Sequence, residues 1–167
     1  EIEAVGANYI VKTQQLPNDP GFDRQWDLVK IQMQEAWNLA HGSNNVKVAV
    51  IDTGIDYKHQ DFAGRTIIRG PDYTICSSYQ ELPGGKVKCL VSKSPDNDPI
   101  DDDNRGHGTH VAGIIGALTN NNVGIAGVNW NVTLMAIKTN SGIHGDGYLS
   151  DVIEGIRYAA DHGASVI

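Results

Sequence analysis

The chain has 167 residues, of which 40% are hydrophobic and 20% charged, and it carries a net charge of −7. This length and apolar content are typical of one soluble globular domain with a real core. The acidic balance, without any Lys/Arg cluster, argues against partners such as nucleic acid or an anionic membrane. No segment is apolar over the length of a transmembrane helix, and the N-terminus lacks the layout of a signal peptide.

The predicted elements alternate between helices and strands along the chain. After a short strand-like run in residues 1–12, residues 26–42 favour a helix over their second half, which stops at Gly42. The run "VKVAVI" (46–51) is almost entirely apolar and rich in β-branched residues, which is typical of a strand buried on both faces of a parallel sheet. Residues 64–106 are predicted to form one long loop, and loops of that length in compact domains are usually functional.

The second half of the chain continues this alternation. It predicts a helix from His107 to about Leu118, a strand over 132–139, and a helix from Ser150, as its N-cap, to His162. This order indicates an α/β fold with a doubly wound, mostly parallel sheet whose site lies at the carboxyl ends of the strands. Because the sequence stops within the strand-like run "ASVI", we expect the sheet to be incomplete at its C-terminal end and the chain to be a piece of a longer polypeptide.

The two cysteines, Cys76 and Cys89, both lie in a loop region rich in Ser, Gly and Pro. One disulfide closing that loop is the favoured interpretation, and it points to an oxidising, extracellular setting. Two unrelated free thiols are the alternative, although loop cysteines are rarely of the buried, inert kind.

Asp52 and His107 are the candidate catalytic residues. Asp52 comes directly after a buried strand, where open α/β sheets place functional groups; an aspartate that only caps the "DTG" turn is the alternative. His107 lies between two glycines at a helix N-terminus, where the dipole disfavours the imidazolium and keeps the ring neutral, as a general base requires. An aspartate bonded to the other ring nitrogen would fix the tautomer and stabilise the cation formed during proton transfer.

The spacing His107-x-x-His110 also raises the question of a zinc site, since side chains at i and i+3 share a helix face. The helix lacks the glutamate that a hydrolytic H-E-x-x-H motif places between its histidines. His110 leads into an apolar stretch, which is typical of a core histidine, so zinc is not expected.

The stretches "VAVIDTGID" and "GHGTHVAG" resemble the first two active-site signatures of subtilisin-like serine proteases. The stretches "PNDPGF", "AGVNWNV" and "GDGYLSDVIEGIRYAADHGASVI" extend the resemblance over residues 17–167. It implies a serine endopeptidase of the subtilase family, in which Asp52 orients His107 and His107 takes the proton from a serine that forms an acyl-enzyme.

The serine-bearing third signature of the family is absent from the sequence. The resemblance therefore implies that this chain supplies the aspartate and the histidine only, and that it is inactive without a serine-bearing segment. Three explanations stay open: a nicked enzyme with its C-terminal half still bound, a truncated chain, and a pseudoenzyme. The competing function is a catalytically inactive calcium-binding or interaction module on the same scaffold.

The stretch "HGDGYL" (144–149) resembles the family's edge segment that pairs with an extended peptide substrate. The resemblance implies that Asp146, Gly147 and Tyr148 line this strand and that the enzyme binds substrate backbone by strand addition. A glycine-rich connecting turn is an equally good interpretation of these residues.

The resemblance implies calcium as the cofactor, at one or two sites. "LTNNNVGI" (118–125) resembles the family's calcium loop, and hard oxygen ligands suit Ca²⁺. The implied ligands are the carboxylates of Asp19 and Asp61, the side chain of Asn121, and the carbonyl groups of Leu118, Val123 and Ile125. The candidates for the second site are Asp72, Asp96, Asp98 and Asp102 with the Ile100 carbonyl. A solvated acidic loop is the alternative there.

The resemblance also divides the chain and implies its partners. Residues 1–14 resemble the end of an inhibitory prodomain and its junction, and residues 15–167 the N-terminal part of a catalytic domain. The implied partners are extended polypeptide substrates, the C-terminal segment carrying the serine, and the enzyme's own prodomain or a protein inhibitor. The implied location is extracellular.

Overall fold

A computed structural model describes residues 16–74, 76–82, 86–92, 98–102, 105–141 and 146–167, with only the backbone at 76–82, 86–92, 141 and 146. The predicted prodomain segment, residues 1–14, lies outside these ranges, as does Asp96. In the described part, no helix has both the length and the hydropathy needed to cross a membrane.

The central sheet has three parallel strands. β5 (Asn131–Lys138) lies between β1 (Gly42–Asp52) and β2 (Ile67–Asp72). The register pairs the last residue of β5, Lys138, with the last residue of each neighbour, Asp52 and Asp72. The carboxyl ends of all three strands therefore meet at one edge of the sheet.

Helices cover both faces of this sheet. Alternate residues of β1 and β5, such as Val50 and Leu134, pack with Ala112 of α3 (His107–Gly116). The residues between them, such as Met135, pack on the other face with Ala159 of α4 (Leu149–Asp161). Because strand side chains alternate between faces, both faces of β5 are apolar and buried. The predicted α/β fold with a mostly parallel, doubly wound sheet is confirmed.

The helix predicted over the second half of residues 26–42 is present but ends at Trp37, not at Gly42. Two short helices, α1 (Trp26–Lys30) and α2 (Met33–Trp37), are separated by Gln32, whose φ of 58° lies in the left-handed region. Gly42 begins β1 instead. The chain leaves the helix at Trp37 because that ring is buried against Trp130, 5.3 Å between centroids, with its Nε1–H donating to the Val128 carbonyl.

The predicted long loop over residues 64–106 is also wrong, because it contains three strands. β2 pairs with β5, and β3 (Cys76–Leu82) pairs antiparallel with β4 (Lys86–Ser92). The hairpin register sets Cys89 opposite Tyr79 and Cys76 opposite Ser92. The side chains of this hairpin lie outside the described part, so the disulfide between Cys76 and Cys89 stays a prediction.

The ends of the last elements differ slightly from their prediction. α4 begins at Leu149, with Tyr148 in the N-cap position, and Ser150 is inside the helix with its hydroxyl bonded to the Asp151 carboxylate. Two-residue strands β6 (Asn140–Ser141) and β7 (Asp146–Gly147) form a short hairpin before it. The predicted final strand amounts to one parallel bridge, between Val48 and Val166.

Candidate active site

The end of β1 and the start of α3 bring the two predicted catalytic side chains together. The two carboxylate oxygens of Asp52 lie 2.8 and 2.9 Å from Nδ1 of His107. A carboxylate at that distance accepts the Nδ1–H, which selects the tautomer with its basic lone pair on Nε2. The arrangement is that of an oriented imidazole base.

The two backbones are joined beneath this pair by Thr53, a residue not singled out from the sequence. Its hydroxyl accepts a hydrogen bond from the Gly108 N–H at 2.9 Å, and its own N–H donates to Asp52 Oδ1 at 2.7 Å. A Cβ at Gly108 would overlap the Gly54 carbonyl oxygen. Because glycine has no side chain, the first turn of α3 can contact the end of β1 directly.

The segment 98–102 holds the same helix end from the other side. The Asp101 carboxylate accepts from the N–H and the hydroxyl of Thr109, at 2.9 and 2.5 Å. The Pro99 carbonyl accepts from the Ile55 N–H at 3.0 Å. An acidic side chain that accepts N–H groups in the first turn stabilises a helix N-terminus. Asp101 was not singled out from the sequence. The available signal was its position, since it is an aspartate six residues before His107, the first residue of the helix.

The imidazole of His107 is accessible while its partner is not. The His107 side chain is 66% exposed and the Asp52 side chain 15%. A ring held by a largely buried carboxylate and open to solvent can accept a proton from a hydroxyl that approaches Nε2. This geometry suits general-base chemistry.

The carboxylates of the first predicted calcium site lie together and are buried, Asp19 and Asp61 each being 4% exposed. The Asp19 oxygens accept from the backbone N–H groups of Asn120 and Asn121, at 2.9 and 3.2 Å. The Asp61 oxygens accept from Asn121 Nδ2 and from the Ile125 N–H, both at 2.9 Å. Both carboxylates therefore have donors from the loop that carries the other predicted ligands.

The donor chemistry of this first cluster fits calcium. Two carboxylates and the Asn121 amide oxygen are hard ligands, and each carboxylate retains lone pairs beyond the bonds it accepts. The backbones of Leu118 and Asp61 are joined by a 2.9 Å hydrogen bond, and the Val123 N–H donates to Asn121 Oδ1. Among the described residues, no group of three or more His, Cys, Asp or Glu side chains could hold a metal, so backbone and amide oxygens would complete the set.

Three of the predicted ligands of the second calcium site, Asp72, Ile100 and Asp102, surround a lysine. The ammonium of Lys138 donates to the Ile100 carbonyl at 3.0 Å and to the Asp102 carboxylate, and it lies 3.9 Å from Asp72 Oδ2. The predicted ligand Asp98 accepts from the Tyr57 hydroxyl at 2.5 Å. This hydrogen bond, with burial as the second cause, raises the pKa of Tyr57 above its usual value.

The predicted substrate strand is only partly described. β7 pairs Gly147 with Asn140 and Asp146 with Ser141, and Tyr148 is 41% exposed. β6 and the catalytic pair both lie at the C-terminal edge of the sheet. The N–H of Thr139, the residue before β6, donates to the Asp52 carbonyl at 2.9 Å. Asp146, Gly147 and Tyr148 as substrate contacts stay a prediction.

Comparison with known proteins gives one family for most of the chain. A family model described as the subtilase family matches residues 43–167. Thermitase from Thermoactinomyces vulgaris is 40% identical over 154 residues, which is 90% of this chain and 46% of that protein. A halolysin-like extracellular serine protease from Natrialba magadii is 31% identical over 167 residues, 100% of this chain and 28% of that protein.

A solved structure gives the same result. A protease from Pseudoalteromonas arctica PAMC 21717 superposes with a TM-score of 0.65 and 33% identity, covering 90% of this chain and 46% of that chain. The chain thus spans less than half the length of the relatives it matches.

Proposed function

Since the chain belongs to the subtilase family, we propose that it supplies the aspartate and the histidine of the catalytic triad of a serine endopeptidase. The observation that carries this proposal is the pair of distances, 2.8 and 2.9 Å, between the Asp52 carboxylate and His107 Nδ1. Relatives that carry the name serine protease support the same assignment.

The proposed mechanism uses each part of this geometry. Asp52 holds the imidazole in the tautomer whose lone pair is on Nε2, and His107 removes the proton from a serine hydroxyl as that oxygen attacks the peptide carbonyl. The imidazolium formed in this step lies against the Asp52 carboxylate, which stabilises it. His107 then donates the proton to the leaving amine, and water hydrolyses the acyl-enzyme by the same sequence of transfers.

The serine of this reaction belongs to a segment outside the sequence described. The family's serine signature is absent from these 167 residues, so the chain by itself is proposed to be inactive. A catalytically inactive calcium-binding or interaction module remains the competing function, and it predicts no reactive serine in any preparation that contains this chain.

A fluorophosphonate probe separates these two functions. Applied to the native protein that carries this chain, the probe should label a serine, and the labelling rate should fall about 10⁴-fold or more in His107→Ala and Asp52→Asn. His110→Ala is the matched control, because His110 is an exposed histidine one turn further along the same helix; its labelling rate should equal that of the wild type. Absence of labelling in the wild-type protein would instead support the inactive module.

The first cluster is proposed to be the calcium site of this protein. Bound calcium would link Asp19, Asp61 and the 118–125 loop and would stabilise the folded chain. It would take no part in the proton transfers, which involve Asp52, His107 and the serine only. Dialysis against a chelator followed by calcium calorimetry tests this site directly.

The remaining assignments follow from the same proposal. An extended polypeptide substrate would add as a strand beside β7, contacting Asp146, Gly147 and Tyr148. A secreted enzyme is proposed because a disulfide between Cys76 and Cys89 suits an oxidising compartment and because one relative is named an extracellular protease. Residues 1–14 would then be the end of an inhibitory prodomain, one of the proposed partners beside the serine-bearing segment and a protein inhibitor.

A further inference from the structure

The Lys138 side chain is almost completely buried although it carries a charge. Lys138 is 2% exposed, and it ends β5 between the ends of β1 and β2. A buried ammonium is strongly destabilising unless its donors are used and a carboxylate balances its charge. Its surroundings should therefore explain why the sequence places a lysine there.

Three oxygen atoms from two different segments surround this ammonium. They belong to Asp72 at the end of β2, and to Ile100 and Asp102 in the segment that precedes α3. The Ile100 and Asp102 oxygens accept hydrogen bonds from the ammonium, and Asp72 Oδ2 lies at an ion-pair distance of 3.9 Å. Calcium, in contrast, needs six to eight oxygens at about 2.3–2.6 Å, and the same three atoms cannot serve both cations.

The carboxylates of the cluster are arranged around this single charge. Asp72 is 8% exposed, and its Oδ1 accepts from the N–H and the hydroxyl of Thr74 while its Oδ2 faces Lys138. Asp102, whose side chain is 71% exposed, closes the cluster on the solvent side. The charge of the buried Asp72 carboxylate is therefore balanced by a side chain of the protein itself, Lys138.

We propose that the Lys138 ammonium is the resident cation of this second cluster, so that no calcium binds there in the wild-type protein. The single positive charge of this lysine side chain takes the place that the two positive charges of a calcium ion would occupy. Among the described residues, the second calcium site expected from Asp72, Asp98, Ile100 and Asp102 therefore does not fit what the fold brings together, and it would become available only after the ammonium is removed.

The Lys138 contacts also connect the central strand to the segment before α3. The Ile100 carbonyl and the Asp102 carboxylate that Lys138 holds flank Asp101, which accepts two hydrogen bonds from Thr109 in the first turn of α3. That turn begins with His107. Lys138 thus links the central strand to the segment that contacts the helix end carrying the base.

Calcium calorimetry after chelator treatment tests this proposal without any measurement of activity. Lys138→Met should bind one more calcium ion than the wild type. Its melting temperature in chelator should fall by roughly 10 °C, because a buried ion pair loses one partner, and saturating calcium should reverse more of that loss than calcium adds to the wild type. If Lys138→Met gains no calcium ion, the cluster is not a cation site and the proposal is overturned.

Two further variants keep the test decisive even where Lys138→Met does not fold. Asp102→Asn removes an exposed carboxylate of the cluster and should bind as many calcium ions as the wild type; loss of one ion would show a metal in the cluster and overturn the proposal. Lys58→Met is the matched control, because Lys58 is an exposed lysine close to Tyr57 and outside the cluster. Its calcium stoichiometry should equal that of the wild type, and its melting temperature should stay within about 1–2 °C of the wild-type value.

Discussion

Two clusters of acidic residues balance their negative charge in different ways. The first, built on Asp19 and Asp61, is held by N–H groups from one loop. The second, built on Asp72 and Asp102, encloses the ammonium of Lys138. Hydrogen bonds leave the first cluster with its full negative charge, whereas the second contains its own counter-charge. Only the first therefore has both the charge and the lone pairs that a divalent cation requires.

The largest effect should come from removing a carboxylate of the first cluster. Asp61→Asn replaces an acceptor by an amide that faces two N–H donors, and charged hydrogen bonds of this kind contribute roughly 1.5–3 kcal/mol each. We expect the free energy of unfolding in urea to fall by about 3 kcal/mol. Asp23→Asn, an exposed aspartate in the same half of the chain, is the control and should change it by less than about 0.5 kcal/mol. A loss below about 1 kcal/mol for Asp61→Asn would contradict the assigned hydrogen bonds.

The second-largest effect should be the increase that calcium gives to the free energy of unfolding, and variants of the two clusters should change it differently. At a free calcium concentration 100 times its Kd, a single site adds about 2.7 kcal/mol to the free energy of unfolding. This increment should persist in Asp102→Asn and disappear in Asp61→Asn, as measured by urea unfolding with and without chelator. An increment that instead disappears in Asp102→Asn would reverse the comparison between the clusters.

A smaller effect should come from the backbone that approaches the first cluster. Gly124 has a φ of +51°, and a Cβ there would overlap the Asp61 carboxylate. Gly64 also has a positive φ, +103°, but nothing lies within 4 Å of its Cβ position. Alanine should cost about 1 kcal/mol at Gly64 from backbone strain alone. At Gly124 the loss should be about 1 kcal/mol greater, and equal losses would show that the loop moves away from Asp61 without cost.

The smallest effect should come from Tyr57, which bonds Asp98 at the margin of the second cluster. The Asp98 carboxylate raises the pKa of this phenol above 10.0. A raised folded pKa means that the hydrogen bond stabilises the protein below about pH 10 and that this contribution is lost as pH rises through the folded pKa. The absorbance titration of wild type minus Tyr57→Phe should therefore show one ionisation above pH 10. A midpoint at or below pH 10 would show that Asp98 does not accept the Tyr57 hydrogen bond and is therefore available to the second cluster.

The parts of the fold that could be predicted are those with a local signal. The strands β1 and β5 follow from continuous apolar runs, and Asp52 and His107 from their places at a strand end and a helix start. β2 was missed because Gly70 and Pro71 interrupt its pattern. The structure explains them: β2 is an edge strand, where proline is tolerated, and a Cβ at Gly70 would approach the Ala136 carbonyl oxygen to 2.7 Å.

The second cluster shows why part of the candidate site could not be predicted. A lysine at the end of a strand is ordinarily taken to face solvent, and nothing near Lys138 in the sequence indicates burial. Its two hydrogen-bond acceptors are 36 and 38 residues earlier, in the segment before α3, so the pairing exists only once β5 lies between β1 and β2. The candidate ligands of the second site predict a cation among the acidic residues, but the source of that cation is a property of the tertiary structure.

The order of strands in the sheet has a consequence for synthesis on the ribosome. β5, the central strand, is the last of the three to be made, since it begins at Asn131 while β1 ends at Asp52. At translation rates of about 5–20 residues per second, several seconds pass between the synthesis of β1 and that of β5, the strand with which it pairs. During that interval the run "VKVAVI" has both backbone edges unpaired, which is the state most prone to intermolecular strand pairing. Substitutions that leave the finished fold unchanged can therefore still alter the yield of protein by acting in this interval.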